Sequence, residues 1–452
     1  MQDTSARRSL LHSVTLEDCA CTAILAFFAV QGAIPFIAPN QALEVRNAAA
    51  SGFTYWGGIL SQAVVYGAIC SFVCADLGRV VRWLGAMRWS AAIACFAIAS
   101  SLWSQFPSYT LRRSLPFALA GLFGLWFALR FPVRRQLSIL WMSMIALALG
   151  SIVLALYFPH IGLDVSPGHY GDWQGAFTSK NGCGRIMVLA TAVALSLEKG
   201  ATRRIVSLFL FLFVMIMSGS RGAWVIEAVV LGIYAVSKIT GRADQRSRVI
   251  VLVFGSAIAI AVAVAAVANY AALVALIGRD ATLTGRTEIW KQVWPFITTR
   301  PILGWGYSGF WRGIQGESFK VVAAMRFILF HAHNGFLEIW LELGAFGLAL
   351  FAASYLRAWR KLWPRLRSGQ IEQVMPMLFV LLLIGLYDLD ENTLLIYNGL
   401  FWVLYVAALV NIELLAVKEQ IYDDLAGLLA TMDSTEEEAC VLASSETRGV
   451  PV

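Results

Sequence analysis

The sequence predicts an all-α polytopic membrane protein, with about twelve transmembrane helices and one large outer loop that carries short interfacial helices. Three observations predict it. Hydrophobic residues make up 59% of the 452 and charged residues only 14%, against about a quarter charged in soluble domains. Mean hydropathy is +0.69, and apolar stretches near the roughly 20 residues needed to cross the hydrocarbon recur along the chain. The third observation is an exception, the stretch 278–332. It is long, polar in places and rich in Arg, Trp and Gly, so it cannot be a spanning helix.

Taken in order, the candidate spans are 18–38, 57–75, 89–103, 114–130, 136–158, 184–198, 204–219, 222–238, 249–277, 333–356, 374–390 and 393–416. Nine spans in 1–277 thus precede the loop 278–332, three spans in 333–416 follow it, and the tail 417–452 lacks the apolar mass for a core and reads as disordered. Arg7 and Arg8 precede an apolar run longer than a signal-peptide core, which reads as a first anchor left in place. The seven cysteines form no CxxC pair and fall mostly inside apolar spans, as small buried hydrophobes do.

Orientation follows from the basic residues, because cytoplasmic loops are enriched in Lys and Arg. One alternating set of loops holds Arg79/Arg82/Arg88, Arg130/Arg134/Arg135, Lys199/Arg203/Arg204, Lys238/Arg242/Arg246/Arg248 and Arg357/Arg360/Lys361/Arg365/Arg367. The opposite short loops hold only Arg46, Arg112/Arg113, Lys180/Arg185 and Arg221. Both termini are therefore expected in the cytoplasm and 278–332 outside. This partition also accounts for the net charge of +7 without nucleic acid as a partner.

Polar clusters gather on the predicted outer face. In the tight turn SGSRGAW (Ser218–Trp224), Arg221 is either a snorkelling end-of-helix arginine or an anion clamp, since guanidinium binds phosphate in a planar fork and stays charged. Ser220 meets no nucleophile-elbow pattern. Arg286, in GRTEIW, opens an amphipathic helix whose Ile289, Trp290, Val293, Trp294 and Ile297 share one face. That face is expected to lie in the membrane interface with its Trp residues. The arginine at its start suits an anion.

His331 and His333 permit three readings: metal ligands without a recognisable third partner, core histidines, or a proton acceptor for a sugar hydroxyl. Asn334 follows His333 and is placed to orient it. Lys180 and Asn181, beside Phe177, would floor a phosphate or sugar site. Glu338 and Glu342, four apart on one helix face, would either orient pocket groups or face an aqueous cavity. Glu227, deeper in its span, reads as an internal hydrogen-bonding partner. DLDEN (Asp388–Asn392) is an acidic outer turn. Cations that hold a diphosphate, aromatics that stack on sugars and one base point to a lipid-diphosphate glycan as ligand. No metal and no cofactor are expected.

The motifs Ser218–Trp224, GRTEIW (Gly285–Trp290), PILGWG (Pro301–Gly306) and AHNGFLE (Ala332–Glu338) resemble, in that order, the bacterial O-antigen ligase and polysaccharide polymerase superfamily. FTSKNG (Phe177–Gly182) is similar to a motif of its exopolysaccharide-polymerase branch. The resemblance covers roughly 170–390. It implies a metal-independent inverting glycosyltransferase of the bacterial inner (plasma) membrane, working at the periplasmic face. The donor would be an undecaprenyl diphosphate-linked glycan and the acceptor a second glycan or lipid A–core, with other polysaccharide assembly proteins as partners in the bilayer. By position in the motifs, Arg221 and Arg286 correspond to diphosphate-binding arginines and His333 to the histidine that activates the acceptor hydroxyl; His331 has no counterpart. The expected site is thus His333, Arg286 and Arg221, with Lys180, Asn181, Asn334 and Glu338 contributing to substrate binding. Polymerisation, of exopolysaccharide or O-antigen, is the first expectation and ligation to lipid A–core the second. A transporter or flippase of lipid-linked sugars is the alternative from another class.

Overall fold

The computed structural model describes residues 14–34, 52–164, 170–197, 200–240, 286–326 and 329–446. The expected span 249–277, the loop start 278–285 and the charges Arg7, Arg8, Arg46, Lys199, Arg242, Arg246 and Arg248 lie outside them. The regular elements among the described residues are all helices, with isolated bridges (Leu163 to Trp173, Arg312 to Gln315) and no strand. The helices are α1 (Leu16–Ala29), α2 (Gly52–Ala75), α3 (Leu77–Trp83), α4 (Arg88–Ala99), α5 (Pro107–Arg130), α6 (Val133–Tyr157), α7 (Pro159–Gly162), α8 (Lys180–Ser196), α9 (Ala201–Met217) and α10 (Arg221–Thr240). After the undescribed stretch come α11 (Arg286–Thr299), α12 (Ser318–Met325), α13 (Gly335–Ser368), α14 (Ile371–Tyr387) and α15 (Leu400–Glu446).

Among the described residues, five segments are long and apolar enough to cross a membrane: Trp56–Ala75, Leu77–Leu102, Val133–Tyr157, Gly335–Ser368 and Leu400–Tyr422. The chain is a multi-pass, all-helical membrane protein.

The core is built on α15 against α5. Gly121 and Gly124 allow close approach: a Cβ at Gly124 would sit 2.5 Å from the Val403 carbonyl oxygen. Small residues at such crossings let helix backbones pack tightly in a bilayer. The Trp402 ring stacks on Phe117 at 4.3 Å, and its Nε1–H donates to the Phe117 carbonyl at 3.0 Å.

Two expectations change. The tail does not turn irregular after residue 416, because α15 continues as helix to Glu446; an already anchored helix propagates easily through the Ala, Leu and Glu of 425–446. The last span also starts later than Thr393. Residues 388–399 are irregular, and Tyr397 and Asn398 turn the chain into α15.

Residues 289–341 hold a small core of their own. Ile289, Val293 and Ile297 of α11 are buried against Trp305, Phe310, Val321 and Leu341. The apolar face of α11 therefore packs on protein and does not lie in the membrane interface as expected; Trp294, half-exposed, is the aromatic left at the surface. Apolar partners from the PILGWG turn and α12 cover that face, which periodicity alone does not reveal.

That turn also breaks α13. Gly344 leaves the helical region at φ 68° and ψ −174°, and the chain from Pro301 to Gly306 fills the gap. The carbonyls released at Leu341 and Glu342 accept the N–H groups of Trp305 and Gly306 at 2.9 and 2.8 Å. The Ala345 and Phe346 N–H groups donate to Pro301 and Ile302 at 2.8 and 3.2 Å. A helix interrupted within a bilayer needs such replacement partners. A Cβ at Gly344 would run into the Ile302 carbonyl, and the positive φ alone costs a non-glycine residue about 1–3 kcal/mol. Gly344→Ala should therefore lower the melting temperature of the detergent-purified protein by several degrees; an unchanged melting curve would contradict this insertion.

Candidate functional site

Lys180 and Arg221 are the first residues of α8 and α10, and Arg286 is the first described residue of α11. Helix N-termini present unpaired N–H groups and a partial positive charge. The cations thus add to a field that the backbone already favours for an anion. Ser179 caps α8, its Oγ accepting the Gly182 N–H at 3.1 Å.

The three N-termini meet at the acidic turn Asp388–Asn392. Arg286 pairs with Asp390, and its Nη2 lies 3.0 Å from Glu391 Oε1. Asn181 Nδ2 donates to the same Glu391 oxygen at 2.9 Å, while its Oδ1 accepts from Ser220 Oγ at 3.2 Å. The SGSRG turn lies against the same acids: a Cβ at Gly222 would stand 2.9 Å from Asp390 Oδ2, and one at Gly219 would strike Asp172. Lys180 Nζ pairs with Asp172 at 2.7 Å. Arg221 itself is exposed and makes no hydrogen bond or ion pair among the described residues.

The other Glu391 oxygen faces the histidines. His333 Nδ1 lies 3.4 Å from Oε2 and His331 Nε2 3.9 Å from it. At that distance His333 Nδ1 has no aligned hydrogen bond. His333 occupies the left-handed region at φ 50°, which is strained for histidine. A clamp holds the strain: the Ala332 N–H donates to Glu338 Oε2 at 2.7 Å, and Trp290 Nε1–H donates to the Ala332 carbonyl at 3.0 Å. The His333 N–H donates to His331 Nδ1 at 3.1 Å. A neutral His331 must then carry its proton on Nε2, toward Glu391.

Arg286, Asn181, His333 and Glu338 are thus brought together directly, with Lys180 and Arg221 close by on helix starts. Asn334 is not available to orient His333 as expected. It caps α13, with Oδ1 accepting from the Leu337 N–H at 2.9 Å and Nδ2 donating to the Leu389 carbonyl at 3.2 Å. Glu227 is buried at the α8–α10 contact, facing Thr191 of α8 as its internal polar neighbour.

Sequence reasoning missed Glu391, Asp390, Asp172 and Arg185, whose Nη1 donates to the Asn392 carbonyl at 3.2 Å. The DLDEN signal was legible as an acidic turn, but nothing in the sequence says that it folds back onto Arg286 and His333. Asp388 does this: its backbone carbonyl accepts the Gly335 N–H at 2.8 Å, and its Oδ1 accepts the Thr393 N–H at 2.7 Å. Burial raises the Asp388 carboxyl to about 7.

His331, His333 and Glu391 offer three ligand atoms within 4.8 Å of one another. The third ligand that sequence spacing could not supply is therefore present. Against a metal stand the Arg286 guanidinium on the same carboxylate and the His331 Nδ1 already occupied by a backbone N–H.

Burial and the neighbouring His333 push His331 down to about 3. Burial would raise Glu391, but His333, His331 and Arg286 hold it well below the usual carboxylate range. The unfolded chain thus binds a proton at His331 below about 6.5 that the folded chain refuses, and likewise at Glu391 below about 4.5. Both make stability fall as pH falls. His331→Asn should flatten the fall in melting temperature between about pH 6.5 and 4.5, where Glu391 does not yet contribute; an equally steep fall in the variant would contradict this.

Residues 206–352 match the family model described as O-antigen ligase. The chain is also 28% identical over 374 residues to the exopolysaccharide production protein ExoQ of Rhizobium meliloti (strain 1021), covering 79% of this chain and 80% of that one. Both likenesses agree with the resemblance of the motifs to the O-antigen ligase and polysaccharide polymerase superfamily. The region matched by the family model takes in Arg221, Arg286 and His333, and it stops before the turn that carries Glu391.

Proposed function

We propose that this protein is a metal-independent inverting glycosyltransferase. It takes a glycan from undecaprenyl diphosphate and joins it to an acceptor sugar at the periplasmic face of the plasma membrane, with both termini in the cytoplasm. The observation that carries the reading is the meeting of Arg286, Asn181 and His333 at a single carboxylate, Glu391, with Lys180 and Arg221 close by. Fixed positive charge of this kind suits a diphosphate leaving group, whose charge grows as its bond to the sugar breaks.

The chemistry follows. Glu391 faces His333 Nδ1 and favours a proton there, which leaves Nε2 as the base. Nε2 takes the proton of the acceptor hydroxyl as that oxygen attacks the anomeric carbon. The carbon–oxygen bond to the diphosphate breaks on the opposite face, so the configuration inverts. Arg286, Arg221 and Lys180 take up the charge of undecaprenyl diphosphate as it departs, and the proton on His333 passes to water. His333 and Glu391 thus act as a base and its orienting partner.

Similarity to an exopolysaccharide production protein over most of both chains favours polymerisation over ligation. The test is a deletion strain examined for surface polysaccharide. Loss of polymer with lipid A–core unchanged supports the polymerase; unmodified core with accumulated lipid-linked polymer supports the ligase instead. Retention of activity in excess chelator would support metal independence.

A further inference from the structure

A cavity of about 190 Å³ adjoins the reactive cluster and shares Glu391, Asn181 and His331 with it. None of Lys180, Arg221 and Arg286 lines it. Its far part is made by Glu338 and Glu342 of α13, Arg113 of α5 and Ser308 of the PILGWGYSG turn. Glu342 is 4% exposed, and its Oε2 has no hydrogen-bond partner. The break at Gly344 holds this carboxyl in place, since the Glu342 carbonyl is bonded to the Gly306 N–H. Arg113 is held between the rings of Tyr109 and Tyr397, 4.4 and 4.6 Å from their centroids. Interrupted membrane helices line cavities at substrate sites, and a buried polar oxygen without a partner is costly unless a ligand or water supplies one.

We infer that this cavity is the subsite for the acceptor sugar, with Glu342 receiving hydrogen bonds from its hydroxyls. The inference rests on the transferase reading above and adds to it which face each substrate occupies. Lys180, Arg221 and Arg286 lie outside this lining and take the donor's charged end. In an inverting displacement the acceptor enters opposite the leaving group, and the cavity adjoins His331 and Glu391 beside the proposed base. A neutral polyol suits a lining of carboxylates that accept, arginines that donate and a tyrosine ring that stacks. The volume is far more than a single water requires and admits a sugar ring.

The test is direct binding of the soluble repeat-unit oligosaccharide, released by mild acid from the organism's lipid-linked donor, to the purified full-length protein by calorimetry. Transfer is measured in parallel. Glu342→Gln should weaken oligosaccharide binding by about tenfold, the loss of about one hydrogen bond, and change the binding of undecaprenyl diphosphate by less than about twofold. Arg113→Gln, on a different helix, should do the same and serves if the first variant fails to fold. Unchanged oligosaccharide binding in a folded variant, equal weakening of both ligands, or binding that depends on an added divalent cation would overturn the subsite. A wild-type protein that binds the oligosaccharide but transfers nothing would keep the subsite and refute the transferase.

Discussion

His333→Asn is expected to lower glycan transfer by about 10²–10⁴, the usual contribution of a positioned general base. Asparagine is the informative replacement because His333 sits at φ 50°, a conformation that asparagine adopts with little strain. The backbone clamp from Trp290 and Glu338 acts on Ala332 and is untouched. The variant thus removes the base and keeps the loop. Membrane levels and melting temperature should match wild type, and the donor should still bind. Transfer within a few-fold of wild type, from protein at normal levels, would remove His333 from the mechanism.

Arg286→Ala should cost about 10²–10³ in turnover, comparable with the loss of one preorganised charge-stabilising donor. Here folding and chemistry must be separated. Arg286 and Glu391 are both largely buried, at 15% and 11% side-chain exposure, and removing one member of such a pair destabilises by leaving the other unpaired. The double variant Arg286→Ala/Glu391→Gln should therefore recover stability without recovering transfer. Arg286→Lys should fall between wild type and alanine, since it keeps the charge and loses the two-pronged geometry that reaches Asp390 and Glu391 together. Full activity in a stable double variant would show that Arg286 serves the fold alone.

Much of this site was legible because its parts are local. A cation at the start of a helix, a short Gly-flanked turn and an HAHN segment before an apolar run can be read without knowing the fold. Helix positions were legible for the same reason, since apolar runs report burial in lipid or in protein alike. What the sequence withheld is non-local. Glu391 reaches Arg286 and His333 only because Asp388 ties its turn to Gly335. The break in α13 is invisible because Gly344 and Gly347 look alike within one apolar run, and it exists because the PILGWG turn supplies the missing hydrogen bonds. The face of α11 was misassigned because periodicity tells that a face is covered, but not by what. Asn334 reads in the sequence as a partner of His333, while in the structure it caps α13 and bonds the Leu389 carbonyl.

The central claim is that this protein performs the transfer itself. Its most direct measurement uses the purified protein in liposomes, with an undecaprenyl diphosphate-linked glycan on the outside and no other protein. The account predicts longer glycan chains together with released undecaprenyl diphosphate, in the presence of a chelator, and neither product from His333→Asn. Movement of the lipid-linked glycan across the bilayer without any new glycosidic bond would contradict it.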